Sequence, residues 1–373
     1  MITSLTLDNF KCFEHFYMPL RPLTLIVGTN GAGKSSIIQS MLLLRQSCLD
    51  KDVDWRENLV INSGLVELDS ASDILYASVE GKEARIYIEI ENDDADSISF
   101  SINPETVDNV SQVSCEGDLD KAKKEWPLFD TSFVYLYADR VQPHAKYVKS
   151  ISRLDSRLGD KTANNAVFRF AQAINTNENI AINSLRHKHA IDNSVYRNVG
   201  AWINDLMGSD IDVTAEEVEK GKEAKYVYSV TNKENESKNL SPLNMPFGQS
   251  YVLPLVLAVL TAPKNSMVLI ENPESHLHPS AQGRLGEFIA LAAAAGIQII
   301  AETHSDHLMN GVRVACHNHV ISNEEIEMDM ICVDKNGVEH FRQPIELDEN
   351  GYVMNWEPGF FDEWEEALKR MIP

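Results

Sequence analysis

The 373-residue sequence is short of several things, and each shortage narrows the reading. No run of about 18 apolar residues occurs, so no membrane-spanning helix is predicted. The first residues do not form a charged segment followed by an apolar one, as a secretion leader would. A soluble, cytoplasmic protein without a membrane partner is therefore expected. Cysteine is scarce: Cys12, Cys48, Cys115, Cys316 and Cys332 form no CxxC pair. That spacing argues for a reducing compartment and against a zinc knuckle. Cys316-His317-Asn318-His319 comes nearest to a metal cluster, but read as a strand its neighbouring side chains face opposite ways. Positive charge is short too, with 33 Lys and Arg against 56 Asp and Glu, a formal net charge of −23. Binding of nucleic acid over a broad surface is thereby disfavoured, because phosphate affinity comes from cation contacts and counterion release. The local exception, Arg186-His187-Lys188-His189 with Arg197, reads either as a basic groove for nucleic acid or as a solvated helix face. A hydrophobic content of 43% leaves ample material for a globular core.

What is present is organised around Gly28-Thr29-Asn30-Gly31-Ala32-Gly33-Lys34-Ser35. The apolar run Leu23 to Val27 precedes it, and Ser36 to Leu44 follows with helical character. A strand, a glycine-rich turn and a helix carrying G-x-x-x-x-G-K-S describe a phosphate-binding loop. Its glycines let the backbone curl so that successive N–H groups and the positive end of the helix meet one anion. Asn30, Gly31, Ala32, Gly33, Lys34, Ser35 and Ser36 are the expected nucleotide contacts. Lys34 is expected to reach the β- and γ-phosphates, and the Ser35 hydroxyl to ligate Mg²⁺. ATP and Mg²⁺ are thus the expected cofactors.

A second feature is Ser266 to Pro279, where Met267-Val268-Leu269-Ile270 ends in Glu271. A buried strand tipped by a carboxylate is suited to hold the Mg²⁺ hydration shell, as in a Walker B motif. Asn272 follows, and an amide cannot act as a general base. Hydrolysis is then either slow or dependent on Glu274, with Asn272 orienting water. His276 and His278 are read as packing and capping residues in preference to metal ligands. Phe133 to Tyr137 is a further strand, leading to Arg140, which reads equally as a phosphate sensor or as half of a structural salt bridge.

The order of these features resembles a known group. Asn9-Phe10-Lys11-Cys12-Phe13, followed closely by the Gly-x-Asn-Gly-x-Gly-Lys-Ser loop, is similar to the N-terminal lobe of ABC-type ATPases of the RecF, SMC and OLD kind. Pro273-Glu274-x-x-Leu277-His278-Pro279 resembles the same relatives. The resemblance implies that Gly248, Gln249 and Ser250 stand in the signature turn that faces a second subunit's nucleotide, although Pro246 and Phe247 replace its usual serine and glycine. It also implies that His304, in Thr303-His304-Ser305, is the switch histidine. Only 69 residues follow His304, too few for the Toprim nuclease domain of OLD proteins. The segment Gly351 to Glu363 resembles the end of bacterial standalone OLD-like ATPases.

The expected fold is therefore α/β: a P-loop ABC-type ATPase head with an antiparallel β-subdomain and a helical insertion. Residues 1–150 form its N-terminal lobe, 151–240 the insertion, and 241–373 the lobe with signature, Walker B and switch histidine. Strands are expected at Leu65–Leu68, Ala84–Ile90, Ser97–Ile102 and Tyr226–Val230, a loop at 103–128, and helices across 160–208. The resemblance implies an ATP-hydrolysing enzyme that pairs head to tail, as a dimer or higher oligomer, around ATP. It further implies a separately encoded effector, such as a nuclease, in anti-phage defence or DNA maintenance. The alternative is an ATP-sensing scaffold that barely hydrolyses and gates a toxic partner. A transporter ATPase fits less well for want of a clear Gln loop, and a direct nuclease built on Glu324, Glu325, Glu327 and Asp329 fits least.

Overall fold

Alternation of apolar and polar residues in β1 (Ile2–Phe10) puts Ile2, Leu5, Leu7 and Phe10 in the interior. In the computed structural model, which describes residues 1–78, 84–140, 142–149, 158, 160–218, 221–231, 237–355 and 368–371, this strand turns back into β2 (Phe13–Pro19) through Lys11 at φ 53°. The continuous apolar run β3 (Leu23–Gly28) follows, and the phosphate-binding loop joins it to α1 (Lys34–Leu49). Next come β4 (Asn58–Val60), β5 (Ile86–Asn92), β6 (Ser97–Ile102), β7 (Val110–Glu116) and α2 (Leu119–Glu125). β8 (Val134–Leu136), β9 (Tyr147–Val148), α3 (Ala166–Asn175) and α4 (Val195–Met207) lead to β10 (Asp212–Val218), β11 (Glu223–Thr231) and β12 (Ser237–Leu240). The last stretch runs α5 (Phe247–Leu260), β13 (Met267–Glu271), α6 (Pro279–Ala294), β14 (Gln298–Glu302), α7 (Asp306–His317), β15 (Ile326–Val333) and β16 (His340–Pro344).

Three sheets result. One is antiparallel, in the order β2-β1-β5-β6-β7-β4, and a smaller one comprises β10-β11-β12 with β9 beside β11. The central sheet, β16-β15-β3-β14-β13-β8, is parallel except for β16. Its inner strands β3, β14 and β13 are apolar on both faces, as a covered parallel sheet requires. Successive side chains divide between two cores: Ile26, Met267, Leu269, Ile300 and Ile331 pack with α1 and the antiparallel sheet, whereas Leu25, Val268, Ile270, Ile299 and Ala301 pack with α3 to α7. The same alternation aims Glu271 and Glu302, at the strand tips, toward the α1 face. Among the described residues, no helix is long and apolar enough to cross a membrane.

Several expectations need correction. The stretch 103–128 holds β7 and α2; only Val110 and Val113 mark β7 as apolar, too weak a period to read. Leu65–Leu68 carries only an isolated bridge between Asn62 and Glu67, and the Val66 N–H is satisfied by the Gln46 side chain. The segment 151–240 is mixed, since two helices give way to β10, β11 and β12, where Ala224, Tyr226 and Tyr228 alternate inward. Cys316 and His317 end α7, so the sequence Cys316 to His319 is not a strand, and no group of three metal-capable His, Cys, Asp or Glu side chains occurs among the described residues. The part of the C-terminal resemblance from 356 to 363 lies outside the described residues.

Candidate functional site

The loop after β3 is bent by its glycines and braced from both sides. Gly28 lies against β15, where a Cβ would stand 2.5 Å from the Ile331 carbonyl oxygen. Gly33, at φ 109°, precedes α1, and a Cβ there would meet Cys12 Sγ at 2.6 Å and the Phe13 ring at 2.8 Å. Lys34 is buried, and its Nζ donates to the carbonyls of Gly28 at 2.9 Å and Thr29 at 2.8 Å. Burial lowers its pKa, against the attraction of Glu302 and Glu274. The loop opens on a cavity of about 500 Å³. Of the residues expected at the site, Asn30, Gly31, Gly33, Lys34, Ser35, Ser36, Asn272 and His304 line it. Ala32 does not; it is buried, and its carbonyl meets His340 Nδ1 at 2.8 Å.

Two strand tips close the cavity. β13 and β14 pair so that Glu271 lies opposite Glu302, and the Asn272 N–H donates to the Glu302 carbonyl at 2.9 Å. The Ser35 hydroxyl donates to the Glu302 carboxylate, 3.1 and 3.0 Å from its two oxygens. Burial, and next the charge of Glu271, push the Glu302 carboxyl up to about 7. Glu271, on the same face, accepts from the Tyr135 hydroxyl of β8, on the side of β13 away from β14, at 2.7 Å. Its carboxyl is also raised by burial. Glu274 accepts from the His304 N–H at 2.8 Å through Oε1, while its buried Oε2 has no partner. Neither Glu271 nor Glu274 lines the cavity. Asn272 takes the left-handed φ of 45°, and its Oδ1 is buried without a partner. Partial desolvation of the ring, then the nearby Lys34 ammonium, hold the His304 imidazole below its usual pKa and favour its neutral form.

Arg140 bonds to main-chain carbonyls rather than to a carboxylate. Its guanidinium donates to the carbonyls of Glu271 at 3.0 Å and Asn272 at 2.9 Å, and lies 4.1 Å from the centre of the Tyr251 ring. It therefore holds the backbone of the turn after β13. His278 caps α6 and His276 packs on Phe247 and Tyr251 with ring centroids 4.3 and 5.2 Å away.

The start of α5 lies elsewhere. Gly248 packs so closely that a Cβ would stand 2.8 Å from the His276 carbonyl oxygen. The Ser250 hydroxyl is turned into the core, 2.9 Å from the Tyr228 hydroxyl. Gln249 is buried with its Oε1 unpartnered. None of the three lines the loop cavity of its own chain.

Lys11, Cys12, Gln39 and Glu302 line the cavity without having been singled out. For Glu302 a signal existed: like Glu271, it ends an apolar strand run. The donor set of hydroxyl and carboxylate oxygens suits Mg²⁺, which takes one or two carboxylates and completes its shell with phosphates and water. The unpartnered Asn272 Oδ1, on a residue that lines the cavity, leaves polar capacity for a ligand or its water. Part of the basic cluster lies beside acids. His187, His189, Arg197 and Arg284 line a depression of about 680 Å³ together with Asp205, Asp210 and Asp212. Glu327 and Asp329 of β15 are paired with Arg342 of β16 at 2.6 and 2.5 Å, so these two acids form a structural ion cluster, while Glu325 accepts from the Ser322 N–H.

Comparison with known proteins adds the following. A family described as "AAA domain, putative AbiEii toxin, Type IV TA system" matches residues 23–310, and one described as a protein of unknown function (DUF3696) matches residues 332–371. The OLD nuclease of Thermus scotoductus is 48% identical over 44 residues, a segment spanning 12% of this chain and 8% of that protein. An SMC head bound to the C-winged helix domain of ScpA superposes with a TM-score of 0.56 at 14% identity, covering 93% of this chain and 98% of that one. The SMC head with an extended coiled coil, bound to a ScpA domain and derived from Pyrococcus furiosus, gives 0.54 at 13% identity over 99% of both chains. At such identities the likeness is one of fold.

Proposed function

The chain belongs to the AAA-domain family of the AbiEii type and has the α/β ATPase head of the OLD and SMC-like group, and from that premise we propose that it binds and slowly hydrolyses ATP, pairing with a second copy to control a separately encoded effector. One observation carries the reading: Lys34, Ser35, Asn272 and His304, far apart in sequence, line one cavity at the tip of the central sheet. The N–H groups at the start of α1 bind the phosphates, aided by the helix dipole. Lys34 exchanges its two loop carbonyls for phosphate oxygens, regaining a full charge partner. Bound Mg²⁺ supplies neutralisation of phosphate charge. His304 contributes a neutral imidazole beside the terminal phosphate, and Glu274 fixes that histidine's backbone. Gly248 and Gln249, at the start of α5, serve the nucleotide of the partner copy in a head-to-tail pair. The three parts 1–150, 151–240 and 241–373 act as one head. An effector of the nuclease or toxin kind, and a role in anti-phage defence or DNA maintenance, follow from the family alone.

A second reading, an ATP-gated scaffold with little turnover, draws support from Asn272, which puts an amide where the water-activating carboxylate is expected. Turnover and oligomeric state of the purified chain separate the two. Wild type is expected to hydrolyse ATP and to dimerise with ATP and Mg²⁺, and Lys34→Ala to lose both. Loss of turnover in Glu274→Gln, with ATP binding retained, assigns Glu274 to the hydrolytic step, either as stand-in base or through the His304 backbone that it holds. ATP-dependent dimers without turnover support the scaffold, and a chain that binds no ATP overturns both readings.

A further inference from the structure

Resting on the nucleotide reading above, we propose that Glu302, and not Glu271, is the carboxylate that shares the bound Mg²⁺ with the Ser35 hydroxyl. The strand order decides it first. β14 lies directly beside β3, whose loop carries Ser35, whereas β13 lies one strand further away. The tip of β14 therefore meets the start of α1. Both Glu302 oxygens stand 3.0 to 3.1 Å from Ser35 Oγ. Adjacent oxygen ligands of an octahedral Mg²⁺ with bonds of about 2.0–2.1 Å are themselves about 3 Å apart. The pair is thus already spaced as neighbouring ligands of one ion. Glu271 is committed to the Tyr135 hydroxyl on β8, which flanks β13 on the side away from β14 and β3, and does not line the cavity. In this arrangement Glu271 is a positioning residue for the turn that holds Asn272, and Glu302 is the ligand. The strand pairing keeps the two tips in register, since the Asn272 N–H is bonded to the Glu302 carbonyl.

The test is the gain in ATP affinity that Mg²⁺ brings to the full-length chain, read by titrating a fluorescent ATP analogue with Mg²⁺ and again with EDTA. Binding of Mn²⁺ in the presence of ATP, followed by its electron paramagnetic resonance signal, gives a readout independent of turnover. Glu302→Gln is expected to cut the Mg²⁺-dependent gain by about 10- to 100-fold, the scale for disturbing a metal's immediate partners. Its affinity in EDTA should stay within a few-fold of wild type, which also shows that the loop is folded. Glu271→Gln is expected to lose at least ten-fold less of the gain. Should the amide variant fail to fold, Glu302→Asp, which keeps the charge but withdraws it from Ser35, is expected to weaken Mn²⁺ binding as well. A full Mg²⁺ gain in Glu302→Gln, with the loss seen in Glu271→Gln, overturns the assignment and leaves the nucleotide reading standing. A wild-type chain that binds no ATP in either condition overturns that reading and this assignment together.

Discussion

Arg140 ties the turn after β13 to the end of β8 through the backbone. It is 1% exposed, and the carbonyls of Glu271 and Asn272, a longer contact to the Tyr137 carbonyl at 3.3 Å and an aromatic face take up its charge. A lysine cannot bridge both carbonyls and stack on Tyr251 at once. Arg140→Lys is therefore expected to lower ATP turnover by about ten-fold or more while the protein stays folded. Arg140→Ala, which also leaves a cavity and two unpaired carbonyls, is expected to cost roughly 2–5 kcal/mol of stability in a denaturant titration. None of this was legible in the sequence, because the two closer partners are main-chain oxygens some 130 positions away. The loop glycines, Lys34 and Ser35 were legible because their geometry is local and allows few alternatives. Glu302 fell between the two cases: its strand was readable, but its partner Ser35 lies 267 residues off.

Secondary elements follow the same division. The apolar runs β3, β13 and β14 announce themselves, whereas β16, His-Phe-Arg-Gln-Pro, has neither period nor apolar content to betray a strand. Yet β16 reaches the loop. His340 Nδ1 meets the Ala32 carbonyl, and its ring stands edge-on to Phe13 at 6.2 Å. A carbonyl and the next residue's N–H point in opposite directions across a planar peptide. Holding the Ala32 oxygen on the outside therefore aims the Gly33 N–H toward the phosphates. His340→Ala is expected to weaken ATP binding about three- to ten-fold, the worth of roughly one hydrogen bond, without changing the Mg²⁺ dependence. His340→Asn, which keeps a donor, is expected to recover part of it. Calorimetric titration of the three proteins with ATP decides, and equal affinities would show that the hairpin does not brace the loop.

For the molecule as a whole, the charge of −23 and its buried acids act in one direction. Burial, against the pull of Arg342, pushes the Asp329 carboxyl up to about 7, far above the roughly 3.9 of an unfolded chain. Between those values the folded state holds a proton that the unfolded state has released. Stability therefore falls as pH rises across that window. Self-repulsion among the excess carboxylates adds to the fall. The melting temperature is expected to be higher at pH 6 than at pH 8, and Asp329→Asn to flatten the difference. A melting temperature that climbs toward pH 8 would contradict this account. The central sheet also has a consequence for how the protein comes into being. β3 is flanked by β14 and β15, which begin at Gln298 and Ile326, so strands from opposite ends of the chain meet at the phosphate loop. A ribosome that has finished the loop has already made the wall of Cys12 and Phe13, but must continue to Gln298 and Ile326 before β14 and β15 can flank it. The phosphate motif is therefore made long before the two strands that flank it, and the paired tips of β13 and β14 also come after it in the order of synthesis.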